Sequence, residues 1–361
     1  MTEILTHVGK QFRLAGELES FESIKNGNIN VTYKVMYRRA DGTLKAYIFQ
    51  KINTHVFKRP ADIMRNIDLV TTHIRNKYDK IPTLHFHHTK SGENFLYDSD
   101  GSFWRVINYI DSITFDSCDD LQVVRNTGLA FGRFQMQLSD FDGSQLYETI
   151  PNFHNTRMRI DTLLENAKSD PVGRVSEVSW ELEYIASVRE KAIELSEKFY
   201  SGRLPIRVTH NDTKSNNVLF DKLTKLPLIV IDLDTVMPGM SMYDFGDAAR
   251  FIANTSVEDE ENLDKVSFNI EAFKALAEGY IGELIGHVTD EEILSLPLAT
   301  FSITVELASR FLDDYITGDL YFKTLYPKHN LVRARCQLKL AQSIMEQYDD
   351  LCRIVEEFHN K

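Results

Sequence analysis

Cysteine is scarce in this 361-residue chain: Cys118, Cys336 and Cys352 are few, far apart and odd in number. They make no disulfide framework and no C-x-x-C metal site, as expected of a reducing cytoplasm. Basic charge is also in deficit. There are 41 Lys and Arg against 53 Asp and Glu, a formal net charge of −12, which argues against a nucleic-acid surface. No apolar run approaches the roughly 18 residues of a membrane span. The opening residues Met1 to Leu5 carry no basic region ahead of a long apolar stretch, so neither a targeting segment nor a membrane partner is expected. Internal repeats and low-complexity linkers are missing too. What remains is an ordinary globular composition, 43% hydrophobic and 26% charged. The length suggests two domains, each able to bury its own core.

Periodicity divides the chain. Ile4, Val8, Phe12 and Leu14 predict a short amphipathic helix, and Val31, Tyr33, Val35 and Tyr37 alternate as a strand does. Asp41-Gly42 marks a turn into a second strand at Ala46-Tyr47-Ile48-Phe49. Pro60 to Ile74 reads as a helix, and Leu84 to His87, Asn94 to Tyr97 and Trp104 to Ile107 as short strands. Beyond Asn108 helices dominate: Leu121 to Leu138, Ser176 to Phe199 with Ser176 as N-cap, Ile270 to Leu284, Glu291 to Tyr315 and Leu331 to Phe358. The expected architecture is α+β and bilobal, with a small β-rich lobe over 1–108 and a larger, mainly helical lobe over 109–361.

The densest chemistry lies in His210-Asn211-Asp212-Thr213-Lys214-Ser215-Asn216-Asn217, which reads H-x-D-x-x-x-x-N. The apolar Val218-Leu219-Phe220 follows at once, then Leu228-Ile229-Val230-Ile231 ending on Asp232. This is the layout of a kinase catalytic loop and the metal-binding aspartate beyond it. One carboxylate must meet an acceptor hydroxyl, which points to Asp212 as base. An amide oxygen a loop-width later and a carboxylate after the next strand suit magnesium, which points to Asn217 and Asp232, with Asp234 as a further candidate two residues on. Lys214 lies close enough to the base to offset charge on a transferring phosphoryl group, or it is a solvated loop lysine. A Ser/Asn-rich turn between buried strands would explain H-x-D alone, but not the whole constellation in order.

On the nucleotide side, Lys25-Asn26-Gly27-Asn28-Ile29-Asn30 precedes the Val31 strand. Its single glycine, Gly27, together with Asn30, makes the expected cover for the phosphates of ATP. A basic residue is expected at the end of the next strand, paired with an acid on the following helix. By register that position is Gln50, with Lys51 on the other face unless a bulge turns it inward. Asp68 would be the helix acid; a solvated face is the other reading of Lys51 and Asp68. The break after Val106-Ile107 makes Asn108, Tyr109 and Ile110 candidates for the adenine edge. His85-Phe86-His87-His88 has a spacing that could hold metal, but without acidic or cysteine partners a hairpin is the better reading.

These residues resemble the aminoglycoside phosphotransferase-like kinase family, which includes choline, homoserine and methylthioribose kinases. Within it they are most similar to N-acetylhexosamine kinases acting on the anomeric hydroxyl. The likeness rests on Gly27 to Tyr33, Met64-Arg65-Asn66, Arg207 to Lys214, Ile231 to Gly239, Asp244-Phe245-Gly246-Asp247, and Gly318 to Phe322 on through Tyr326-Pro327 to Arg333. It implies an ATP- and magnesium-dependent sugar kinase, a monomer, with sugar contacts from Asn28, where the subgroup has histidine. Read physically, Thr213 could bond a sugar hydroxyl, and Phe251 and Tyr321 could supply an apolar wall. Arg310 argues against a cationic acceptor. An ion pair of Arg310 with Glu306, Asp313 or Asp314, and plain core roles for Phe251 and Tyr321, stand beside those readings.

Overall fold

The computed structural model describes residues 1–24, 29–78, 83–115 and 119–361. They form two compact units, one of Met1–Ile113 with Ile231–Val236, the other of Thr114–Val230 with Met237–Lys361. The division thus falls near 113 rather than 108, and a six-residue segment from the middle of the chain packs with the N-terminal unit.

The smaller unit contains α1 (Thr2–Gln11), β1 (Glu17–Ile24), β2 (Val31–Arg38), β3 (Leu44–Ile52), α2 (Pro60–Lys77), β4 (Leu96–Tyr97) and β5 (Phe103–Asn108). The strands make one antiparallel sheet in the order β1-β2-β3-β5-β4. Strict alternation gives it two faces. Tyr33, Val35, Tyr37, Tyr47, Phe49, Trp104 and Val106 pack with Leu5, Val8 and Phe12 of α1. The opposite face carries Thr32, Gln50 and Arg105 in cross-strand register. Pro60 sits in the first turn of α2, where its missing N–H costs nothing. The strand expected over 84–87 is a single bridge, Phe86 to Ile107. β1, with its mostly exposed side chains, has too little apolar alternation to be foreseen.

The larger unit runs through α3 (Leu121–Gln137), α4 (Thr156–Ser169), α5 (Ser179–Tyr200), β6 (Arg207–Thr209), β7 (Val218–Phe220), β8 (Pro227–Val230), β9 (Met237–Gly239), α6 (Ser241–Ile252), α7 (Ile270–Leu284), α8 (Asp290–Leu294), α9 (Leu296–Thr317), α10 (His329–Glu346) and α11 (Tyr348–His359). Ser176 lies in a 3₁₀ turn and is not the N-cap of α5, which starts after Val178 without a side-chain cap. Two helices expected as continuous are each broken. Pro297 fits only in the first turn of a helix and so begins α9 afresh, and Gln347 separates α10 from α11. α9 is buried along nearly its whole length. Among the described residues no helix is long and apolar enough to cross a membrane.

Candidate active site

The loop after β6 is built from behind. Asp244, in the first turn of α6, accepts the backbone N–H of His210 and of Asn211, each at 2.8 Å, and the Gln135 side-chain amide at 2.6 Å. Burial pushes the Asp244 carboxyl up against the pull of His210 and these donors. Asn211 takes a left-handed backbone, φ 65°, which asparagine tolerates better than most residues. His210 is fully buried between the rings of Phe131 and Phe134. Its Nδ1 accepts the Asp212 N–H at 3.3 Å.

Fixed this way, the loop leaves Asp212 half-buried. Its carboxylate accepts Lys214 Nζ at 2.7 Å and Asn217 Nδ2 at 3.1 Å, and Nδ2 also reaches the Asp212 carbonyl at 2.8 Å. The amide nitrogen of Asn217 is therefore turned toward Asp212, and its Oδ1 has no donor among the described residues. Burial works against the charge on Lys214. Asp212 and, beyond it, Asp247 outweigh that, and the lysine pKa lies above its ordinary value. Lys214 thus stands on the carboxylate itself and is not a freely solvated loop residue.

Thr213 is placed differently from the expectation of a sugar contact. It is fully buried; its N–H donates to Asp247 at 3.0 Å and its hydroxyl to the Asp244 carbonyl at 2.6 Å. A threonine between two loop-fixing aspartates has no oxygen left to face solvent. Asp247 is itself paired with Arg250, at 2.6 Å from Nη2 and 3.2 Å from Nε, and Arg250 reaches on to Glu258 at 3.3 Å. Burial raises the Asp247 carboxyl, but Arg250, His154 and Lys214 overcome it and hold the pKa at about 2. The i,i+3 spacing of Asp247 and Arg250 on α6 was the available sequence signal for this pair.

Arg310, half-buried on α9, makes no ion pair with Glu306, Asp313 or Asp314. Glu306 receives His154 Nδ1 at 2.9 Å and the Thr156 hydroxyl at 2.7 Å, and Asp313 receives Asn166 at 2.7 Å. Asp314 accepts the N–H groups of Leu320, Tyr321 and Phe322. The Arg310 guanidinium instead lies over three rings, Phe153 at 5.3 Å, Phe322 at 5.5 Å and Tyr321 at 5.9 Å. Tyr321 is 69% exposed on the loop that Asp314 anchors, so it is not a core residue. Phe251 is half-buried at the end of α6, directly after Arg250.

In the smaller unit several expected ligand contacts have protein partners instead. Asn30 donates to Asp234 at 2.7 Å and accepts the Asn53 N–H at 3.0 Å. Gln50 donates to Thr32 at 3.2 Å and accepts Arg105 Nε at 2.9 Å. Asp234 is 2% exposed and paired with Arg105, which removes it from the metal-ligand set. Lys51 stays on the α1 side of β3, because both ladders of β3 run without a register shift. Neither Lys51 nor Asp68 makes an ion pair among the described residues. Of the hinge candidates, Asn108 donates its N–H to His85 and Tyr109 donates its own to Ala46, whereas the Ile110 N–H has no acceptor among the described residues. His87 bonds the Asn108 side chain at 2.8 Å, and no cluster of three His, Cys, Asp or Glu residues could hold a metal among those described. Gly27 and Asn28 lie outside the described residues.

Asp232 is exposed and has a left-handed backbone, φ 59°. Val218, next after Asn217, pairs with Val230, two residues before Asp232. An amide oxygen and a carboxylate oxygen are hard donors that fit magnesium.

A family model described as a phosphotransferase enzyme family matches residues 20–276. Among solved structures, the chain is similar to an amicoumacin kinase in complex with AMP-PNP, Ca2+ and Ami, at 12% identity and TM-score 0.60, covering 96% of this chain and 93% of that one. It is similar to a microcompartment-associated aminopropanol kinase at 14% identity and TM-score 0.60, covering 97% and 98%. It also resembles a choline kinase from Cryptosporidium parvum Iowa II at 14% identity and TM-score 0.56, with both chains covered throughout.

Proposed function

We propose that this chain, which belongs to the phosphotransferase enzyme family, transfers the γ-phosphoryl group of ATP to the anomeric hydroxyl of an N-acetylhexosamine. The observation that carries the kinase part is Asp212. Its carboxylate is 27% exposed, on a loop whose backbone is held by Asp244 and Asp247. A carboxylate so placed can orient an alcohol and take its proton as the new oxygen–phosphorus bond forms and the β–γ bridge breaks to release ADP. Lys214, at 2.7 Å from that carboxylate, supplies positive charge where the transferring group passes. Magnesium, when bound, neutralises phosphate charge, and Asn217 through Oδ1 and Asp232 through its carboxylate are the residues that would hold it.

The acceptor assignment rests on the resemblance around Arg207 to Lys214 and on the Arg310 cluster. A guanidinium lying over three rings, one of them the exposed Tyr321, offers donors and a flat apolar surface to a neutral sugar. It repels an ammonium acceptor. The anomeric hydroxyl is the most acidic of the sugar, so Asp212 need accept its proton only late. ADP release measured over N-acetylglucosamine, N-acetylgalactosamine, choline, homoserine and an aminoglycoside tests the assignment. Turnover confined to the hexosamines is expected, and preference for a cationic alcohol would refute the sugar reading while leaving the kinase reading in place.

A further inference from the structure

The cation expected at the end of β3 is missing there, since that position is Gln50. Its cross-strand partner on β5 is Arg105, and the pairing puts both on one face of the sheet. Arg105 is 2% exposed. Its Nε donates to Gln50 at 2.9 Å, Nη1 pairs with Asp234, and the guanidinium lies 5.6 Å from the Phe86 ring centre. The second Asp234 oxygen takes Asn30 at 2.7 Å, and Gln50 is steadied by Thr32 at 3.2 Å. At the far end of the segment, Asn66 of α2 donates to the Val236 carbonyl at 2.9 Å. Residues 231–236 are thus clamped inside the smaller unit by a buried charge pair and a buried amide. So enclosed, Arg105 presents no open face to a phosphate.

We propose that Arg105 is a positioning residue for Asp232: the Arg105–Asp234 pair stands in for a β3-lysine to α2-acid pair and fixes the turn that carries the metal carboxylate. The cation comes from β5, and the anion from the metal-bearing segment itself. A carboxylate held in a left-handed turn, with its neighbour two residues on anchored by charge, keeps one orientation. The proposal rests on the kinase reading only through the metal role of Asp232.

The test reads binding. Calorimetry gives the dissociation constant of ADP with and without magnesium for the parent and for three variants: Arg105→Gln, Asp234→Asn, and Arg105→Gln combined with Gln50→Lys, which moves the cation across the strand pair. Loss of a group supporting a metal ligand weakens metal affinity by roughly 10- to 100-fold. The magnesium-dependent gain in ADP affinity should therefore fall about 10-fold or more in Arg105→Gln and Asp234→Asn, with metal-free ADP binding nearly unchanged. The relocated lysine should restore most of it. Parallel loss of both kinds of binding, or a folded double variant with no recovery, would overturn the proposal. So would failure of all three variants to fold, since the pair would then serve the fold alone. A parent that binds ADP without any gain from magnesium would instead refute the metal role in the proposed function, and this inference with it.

Discussion

The two polar centres of this chain are held by opposite means. In the larger unit carboxylates reach to backbone: Asp244 takes the N–H groups of His210 and Asn211, and Asp247 that of Thr213. In the smaller unit side chain meets side chain, with Arg105, Asp234, Gln50 and Asn30 bonded to one another. The difference follows from what each must leave open. The Asp212 carboxylate stays half-exposed, and its loop is fixed through its backbone from behind. The segment at 231–236 displays one carboxylate, Asp232, and is anchored by burying another, Asp234.

If that contrast holds, substitution at the open group costs chemistry, and substitution at the anchors costs stability. The largest effect is expected at Asp212→Asn, with turnover lowered by roughly 10² to 10⁴, the range of a positioned acid–base group, and a melting temperature near the parent's. Near-normal turnover in this variant would break the comparison at its first term. Next comes Arg250→Met. It leaves Asp247 buried without its cation, and breaking such a pair costs about 3–5 kcal/mol, read by urea denaturation at neutral pH. A variant as stable as the parent would show that the Asp247 bonds do not hold the loop.

A third outcome concerns pH. Asp247 titrates at about 2 in the folded chain against an ordinary 3.8. A depressed carboxyl contributes stability that is present above its unfolded value and lost as pH falls through its folded value. Between about pH 4 and pH 2 this carboxyl should cost the fold about 2 kcal/mol. In Arg250→Met that portion of the acid limb should vanish; equal slopes for parent and variant would count against the pair. The smallest effect is expected at Arg310→Lys. A point charge lies less well over three rings than a planar guanidinium, so the acceptor KM should rise about tenfold, the worth of about 1.4 kcal/mol, with kcat little changed.

Legibility followed locality. The segment His210 to Asn217 is one contiguous motif bounded by apolar strands, so that Asp212 and Asn217 lie close together was legible from the sequence. Thr213, next to Asp212 in sequence, reads as a ligand contact, whereas the loop sends its side chain back to the Asp244 carbonyl on α6. Alternation predicted the two faces of β2 and β3 and so placed Gln50 and Lys51 on the right sides. Nothing in the sequence joined Arg105 to Asp234. The two lie 129 positions apart, and an arginine within an apolar strand shows no partner until the fold supplies one. Arg310 illustrates the converse: three acids within four residues suggested an ion pair, but each of them is bonded elsewhere.

The central claim is the position of the transferred phosphate. Phosphorus NMR of the product formed from ATP and N-acetylglucosamine tests it most directly, with the methyl glycoside run alongside. A phosphorus resonance coupled to the anomeric proton, and no product from the methyl glycoside, is the expected result. A phosphomonoester on carbon six, or ready phosphorylation of the methyl glycoside, would contradict it.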